Sequence, residues 1–496
     1  MQKRAVILIL QTSWLLSGCA IQPEPLTNSE ITAYAIDKRE RVTANQEPLR
    51  GQLTLHEAMA RALKYNLDRE IEVMQALVSR RQLHVAHFSM LPNAVANTGY
   101  ADRNNYAGGS SVEILGPTEL GNQSLSSSTS SERDVRDADI KFSWHILDFG
   151  LSYIRAQQAA DQVLIAEETQ RRVVTRMLEN VRTAYWRSVS ATRLSHRIKS
   201  MEARVARALA DTKALEEDGN SSPLTALNYE RELLEIQREL RKLSTELSSA
   251  KAQLAALANL DPGKPYSVAI PSHFTPPQNI KLSASDMVAT ALEHRSELRE
   301  VAYRKRINAH EAEAAILQML PGISLDATPA WNSNTFLYNN HWVAWSAQAS
   351  WNLIKVFSYP ARRSELEAQD ALLDARALAV TMAIMTQVHV GRARLYHARR
   401  EFTTAQKFYS VQRRILRHIR SSLQSGKISE QTAIREEMNT LIAMVKRDMA
   451  FAELQSATAG ALAAIGFTIG DHLPTKQMSI AEIKQAVSHE VRVAAR

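Results

Sequence analysis

A mostly α fold with a small β part is predicted: long antiparallel helical hairpins plus four β-strands per chain, arranged as an internal duplication. Three observations carry this. The 496 residues include only 16 Gly and 15 Pro, few breakers for a chain rich in good helix formers. Matching residues recur collinearly at two offsets that one insertion separates. Short segments of strict apolar–polar alternation interrupt the helical pattern in both halves.

At the amino terminus, Lys3 and Arg4 precede a mostly apolar stretch over residues 5–16. It is shorter than the ~20 residues of a membrane-spanning helix and fits the apolar region of a signal peptide. Leu16-Ser17-Gly18-Cys19 resembles a bacterial lipobox, and Cys19 is the sole cysteine. Residues 1–18 are expected to be a lipoprotein signal peptide and Cys19 the lipidated first residue of the mature chain. Ala20 in place of Asp favours, by resemblance to bacterial lipoproteins, sorting to the outer membrane. Residues 19–52 read as an unpatterned tether. No later stretch offers 18 consecutive apolar residues, so no membrane-crossing helix is expected. A membrane-spanning form would then have to be a closed β-barrel.

The duplication follows. Ser143-Trp144 matches Ser350-Trp351 at an offset of 207, as do Ala191 and Arg193 with Ala398 and Arg400, and Gly219 with Gly426. Upstream, Ala62-Leu63 matches Ala291-Leu292 and Leu91-Pro92 matches Leu320-Pro321 at 229. The offsets differ by 22 residues, which places one insertion in the Gly/Ser-rich segment 108–131. The domain reading is a first repeat over 53–260, a Pro-rich linker over 261–282, a second repeat over 283–467 and a tail over 468–496, either frayed or one short helix.

Each repeat opens with one amphipathic helix, over about 54–89 and 283–318. Thr54 with Glu57 has capping-box spacing, and each helix stops before a Leu-Pro pair. A strand pair follows. Ile140, Phe142, Trp144 and Ile146 alternate with Lys141, Ser143 and His145; Ile323, Leu325, Ala327 and Trp331 alternate with Ser324, Asp326 and Thr328. Segments of about ten residues with this period suit barrel strands with lipid on one side and water on the other. Tyr100, Trp144, Trp331, Trp342, Trp345 and Trp351 cluster in these segments and are expected at membrane interfaces. Two long helical stretches complete each repeat, over about 151–218 and 223–259, then 360–425 and 429–466. At about 1.5 Å per residue the longer ones reach roughly 100 Å, a length suited to a tube. The hairpins turn at Gly219 and Gly426, where an αL residue ends a helix. The linker holds five prolines and a short strand is expected over 266–270.

Several function classes are set aside. The net charge of +8 comes with interspersed Glu and Asp, the pattern of solvated helix faces, not of a nucleic-acid surface. His84 and His87 are three apart but no third ligand follows at metal-site spacing. There is no phosphate-binding glycine loop, HExxH or nucleophile elbow. No catalytic residue, cofactor or metal is expected, and the chain reads as a non-enzyme.

Four tilted strands cannot close a barrel, and open edges cannot sit in lipid. The barrel must be shared between chains: a dimer gives eight strands and a nearly filled lumen, a trimer twelve and a pore. These residues resemble the TolC-like outer-membrane efflux family over about 53–467. The resemblance rests on the duplication, the Leu-Pro pair before each strand pair, and Trp144-His145-Ile146-Leu147-Asp148-Phe149-Gly150, similar to the family's strand ending in Phe-Asp-Gly. The second copy, Trp351-Asn352-Leu353-Ile354-Lys355-Val356-Phe357, lacks the Asp and Gly. The resemblance implies a homotrimer in outer-membrane lipid, a helical tube across the periplasm, and docking to a periplasmic adaptor and an inner-membrane pump or ABC exporter. It implies adaptor contact at the hairpin tips, Gly219, Ser221, Ser222 and Leu224 in the first and Gly426, Ile428 and Ser429 in the second.

No acidic residue lies between Glu401 and Glu430, and Arg413, Arg417 and Arg420 fall on one helix stripe. Facing the lumen, they would be pore or gate residues that concentrate anions; facing outward, they would form a solvated face or pair between helices. The competing reading of the whole chain is a periplasmic adaptor or scaffold lipoprotein, which would carry a single helical hairpin flanked by β-rich domains.

Overall fold

The structure is a computed structural model, and it describes residues 23–217, 223–261, 263–272, 274–470 and 473–494. Cys19, Gly219, Ser221 and Ser222 lie outside the described residues.

The duplication holds residue for residue in the helices. The first repeat carries α2 (Leu55–Tyr65), α3 (Leu67–Phe88), α4 (Ile146–Glu217) and α5 (Pro223–Leu257). The second carries α6 (Ala284–His294), α7 (Ser296–Leu317), α8 (Leu353–Gln424) and α9 (Glu430–Ala464). Each helix has the same length as its counterpart: 11, 22, 72 and 35 residues. The α4 and α8 helices each extend about 108 Å at 1.5 Å per residue.

The opening helix of each repeat is two helices, not the one expected. Asn66 turns to an extended conformation, N-caps α3 by accepting from the Arg69 amide at 3.1 Å, and donates to the Leu257 carbonyl at 3.2 Å. Arg295 makes the equivalent break, its guanidinium holding Glu297 and Gln387, each at 2.7 Å. Neither break carries Gly or Pro; tertiary hydrogen bonds replace the helical ones. The second long helix starts at Leu353 and runs through Pro360, with one ladder bond missing.

Four strands form one antiparallel sheet in the order β1 (Asn93–Asp102), β6 (Asp134–His145), β7 (Gly322–Asn332), β8 (His341–Ser350). The 22-residue insertion continues the β1–β6 hairpin beyond this sheet. It forms two short antiparallel ladders, β2 (Gly108–Gly109) with β5 (Ser128–Thr129) and β3 (Val112–Ile114) with β4 (Leu120–Gln123). The strand expected over 266–270 is a single parallel bridge, Leu53 to Val268.

Strands and helices share one lateral order. The α3 helix leads into β1, β6 into α4, α7 into β7, and β8 into α8. Correspondingly α3 packs on α4, α4 on α7, and α7 on α8. Farther from the sheet, α5, α4, α9 and α8 pack in that sequence. One wall therefore runs from the strands into the helices, with α4 inside it and α8 at its margin.

The core is a string of small clusters along that wall. One joins α2 and Val174 to Val189 of α4 with Leu254 and the C-terminal helix α10 (Ile480–Ala494). Another joins Leu194, Ile198 and Val205 of α4 to Leu233 and Leu240 of α5 and Ile434 to Val445 of α9. The tail is part of this core: Ile483 and Val487 are fully buried. The tether also departs from the reading, because α1 (Asn28–Val42) forms behind a Thr27–Glu30 capping box. One helix, α8, is by length and composition apolar enough to cross a membrane, against the expectation of none. Its exposed apolar side chains, Leu372, Leu378 and Met382 among them, lie along a helix paired with α9.

Candidate functional site

The register assigns every strand residue to one of two faces, because residues paired directly across share a face and neighbours along a strand alternate. One face is apolar: Ala96 opposite Ile140, Ala94 opposite Phe142, Trp144 opposite Leu325, Ala327 opposite Trp345, Pro329 opposite Val343. Tyr100 and Trp331 lie on it, Tyr100 under the Arg136 guanidinium at 5.8 Å. The other face is polar: Asn97 opposite Asp139, Gly99 opposite Asp137, Ser143 opposite Asp326, Ser324 opposite Gln348. Across it the Lys141 ammonium stands 3.5 Å from Asp326, Asn97 donates to Asp139 at 2.9 Å, and Ser346 donates to Asp326 at 3.3 Å.

Trp342 lies on the opposite face from Trp345. It pairs with Ala330 and so shares the polar face with Asp326, because its position has the opposite parity from Trp345. Trp351 follows β8 and donates its indole N–H to the Met319 carbonyl at 2.8 Å, which ties the strand end to the end of α7. The acidic group on the polar face, Asp137, Asp139 and Asp326, was not singled out from the sequence. Its signal was the charge at alternate positions of strands already recognised as amphipathic.

All ten residues of β8 are exposed, Trp345 by 79%. Among the described residues, β1 and β8 each pair on one side only. Two ladders of unpaired backbone groups flank an exposed apolar face, a surface that neither water nor lipid satisfies alone.

At the tip of the second hairpin, Gly426 has φ +69, the Gly426 amide donates to the Leu423 carbonyl at 3.0 Å and the Lys427 amide to the Ser422 carbonyl at 2.9 Å. This is a Schellman stop. Ser429 then caps α9 by accepting from the Thr432 amide at 3.3 Å. Gly426 and Ser429 are exposed and Ile428 half-buried. At the start of α5, Leu224 is 70% exposed.

The three stripe arginines are all exposed, and they differ in what they touch. Arg420 is bound to Glu437 of α9 at 3.1 Å, so it pairs between helices. Arg413 lies over the Tyr409 ring at 5.8 Å. Arg417 has no ion pair or hydrogen bond among the described residues. His84 and His87 stack with ring centroids 6.4 Å apart, and no group of three metal-ligating side chains occurs among the described residues.

No protein-family model matches the sequence and no curated protein does. Solved structures match along most of its length. The Campylobacter jejuni CmeC outer-membrane channel aligns with TM-score 0.64 and 13% identity, over 95% of this chain and 97% of that one. CusC, described as forming a transmembrane channel, aligns with TM-score 0.62 and 17% identity, over 86% and 96%. The open-state MtrE channel of Neisseria gonorrhoeae aligns with TM-score 0.59 and 15% identity, over 84% and 91%. The fold is the fold of these outer-membrane channels, two repeats of strand pair and helical hairpin in one chain.

Proposed function

We propose that this chain is the outer-membrane channel of a tripartite efflux or type I secretion system, conducting cargo passively from a periplasm-spanning pump to the exterior. The observation that carries the reading is the shared lateral order of strands and helices, open at both margins and apolar on one face of the sheet. Copies joined margin to margin would pair β8 of one with β1 of the next and continue the helical wall beneath the barrel. Three copies give twelve strands and a pore. The apolar face then meets lipid, and the polar face, with Asp137, Asp139, Lys141 and Asp326, lines a water-filled lumen.

In this reading Cys19 carries the lipid anchor in the outer membrane. The hairpin tips, Gly219 to Leu224 and Gly426 to Ser429, meet the adaptor. Energy comes from the partner pump, and the chain itself performs no bond-making chemistry. Its contribution is electrostatic and geometric: solvated walls, an excluded bilayer and a continuous path.

The test is planar-bilayer conductance of the purified mature protein with crosslinking on the same sample. Discrete conductance steps from a trimer are expected. A monomer that never conducts, despite lipidation at Cys19, would discard the barrel and favour the adaptor or scaffold reading.

A further inference from the structure

The seam between the two repeats of one chain is a template for a seam between two chains. Inside the chain α4 packs on α7, just as β6 pairs with β7. The α8 helix repeats α4 at an offset of 207, and α3 repeats α7 at an offset of 229. Every α4–α7 contact therefore names one α8–α3 pair. The operation that carries the first repeat onto the second would carry the second onto the first repeat of another copy.

The internal seam is ionic. Arg306 of α7 grips the buried Asp161 of α4, and Arg172 is held by Glu300 at 3.1 Å. Arg299 reaches Glu168 at 3.5 Å, and Gln158 donates to Glu311 at 3.1 Å. Carried to the two margins, Asp161 and Arg306 become Ala368 and Leu77, and Arg172 and Glu300 become Ala379 and Ile71. Two ion pairs give way to two aliphatic pairs, with the large side chain on α3 and the alanine on α8. Glu168 and Arg299 become Ala375 and Glu70, and Glu70 already holds Lys476 at 2.7 Å. Gln158 and Glu311 become Glu365 and Gln82, the same two side chains exchanged. At the sheet end a Cβ on Gly150 would lie 3.5 Å from Leu317. Their counterparts are Phe357 and Phe88, 82% and 72% exposed. Leu77, Ile71, Ala368 and Ala379 are exposed too. A water-facing margin tolerates ion pairs at little cost, so a continuous aliphatic and aromatic face in their place marks a surface to be covered.

The strands give an independent check. Ser143 opposite Asp326 becomes Ser350 opposite Asn97, and Phe142 opposite Ala327 becomes Ala349 opposite Thr98. Ser350 and Asn97 both lie on the polar face of the sheet, and Ala349 and Thr98 both lie on the apolar one. A slip of one residue would have crossed the faces.

We propose that α3 of one copy docks on α8 of a second copy in this register, Leu77 on Ala368 and Ile71 on Ala379, with Gln82 donating to Glu365. This rests on the ring of the proposed channel and gives its helical seam a register. The contact is head-to-tail, so repeating the operation closes a ring. The internal seam forms as one chain folds and can be built from charge. The external seam forms by encounter, where removal of apolar surface from water supplies the drive.

Cys19 is the sole cysteine, so introduced thiols report without ambiguity. The first experiment treats full-length Leu77→Cys/Ala368→Cys in outer-membrane vesicles with a short bismaleimide. Covalent dimers and trimers are expected from the double variant, and only monomers from either single variant. A trimer that conducts but is not joined overturns the register and leaves the channel reading standing. A monomer that does not conduct overturns both. Equal joining of Leu77→Cys to Ala361→Cys, two helical turns away, means chance encounter and also overturns the register. The second experiment follows the oligomer in detergent. Ala368→Asp is expected to keep its helix content by circular dichroism and to lose the trimer. Adding Leu77→Arg, which rebuilds the internal Asp161–Arg306 pair across the seam, is expected to restore it. A trimer that survives Ala368→Asp, or a loss that Leu77→Arg does not restore, overturns the pairing of the two residues.

Discussion

Asp448 of α9 has no solvent-accessible side chain and accepts hydrogen bonds from Arg447 on its own helix, at 2.7 Å, and from Arg193 on α4. Both guanidinium groups also lie over the Phe274 ring, at 4.8 Å for Arg193 and 5.3 Å for Arg447. The inter-repeat linker is thereby clamped onto the two halves it connects. Removing one partner of a buried pair leaves the others without compensation. Asp448→Ala should destabilise the folded chain by about 3 kcal/mol, read as a lower denaturant midpoint by circular dichroism. An unchanged midpoint would mean that water replaces the carboxylate.

Gly426 and Gly466 both have positive φ, +69 and +81, but a Cβ at Gly426 meets nothing within 4 Å and one at Gly466 meets His294 Cβ at 2.8 Å. Gly426→Ala should cost about 1 kcal/mol, the conformational penalty alone. Gly466→Ala should cost clearly more, because α6 must also shift. Thermal unfolding of both variants checks the order, and equal losses would refute the close approach.

Tyr185 donates to the Ala269 carbonyl at 2.9 Å and Tyr266 to the Lys251 carbonyl at 2.6 Å, and burial pushes both phenols up to about 12. A folded value above the unfolded one of about 10 gives stability that is complete below pH 10 and lost as pH rises through about 12. A near-ultraviolet titration should therefore show these two phenols ionising last, together with alkaline unfolding. Tyr185→Phe should remove one late-titrating phenol, and loss of an early one instead would contradict its burial.

Trp342 and Trp345 are three residues apart and sit on opposite faces of β8. In liposomes, brominated lipid should quench a component that Trp345→Phe removes. An aqueous quencher should act on a component that Trp342→Phe removes. The reverse pattern would invert the assignment of lipid and lumen.

Replacing Arg413, Arg417 and Arg420 together by Gln should reduce anion preference in single-channel recordings if the stripe lines the pore. Arg417 should carry most of the change, since Arg420 is already bound to Glu437. Unchanged selectivity would place the stripe outside the conducting path.

The helical plan was legible because its signals are local and repeated. Matching pairs at offsets of 207 and 229 marked corresponding helices in both halves, and Gly426 with Ser429 marked the second tip. The breaks at Asn66 and Arg295 were not legible, because the hydrogen bonds that permit them come from residues such as Leu257 and Gln387. The parity of Trp342 is legible in the alternation, which puts it and Trp345 on opposite faces of β8. The docking of α10 depends on distant packing, which no periodicity records. In the same way, an uninterrupted basic stripe in sequence gives no sign that Glu437, on the next helix, takes up Arg420.

The equal lengths of the two repeats bear on how such a wall is put together. Single-repeat chains would need twice as many copies for the same circumference, and every seam would form by a bimolecular encounter. Fusing two repeats makes half of the seams intramolecular, where tethering supplies an effective concentration on the order of millimolar. The Phe274 clamp then holds that seam once it has formed, so in the proposed ring duplication would act on the kinetics of closure as well as on the shape.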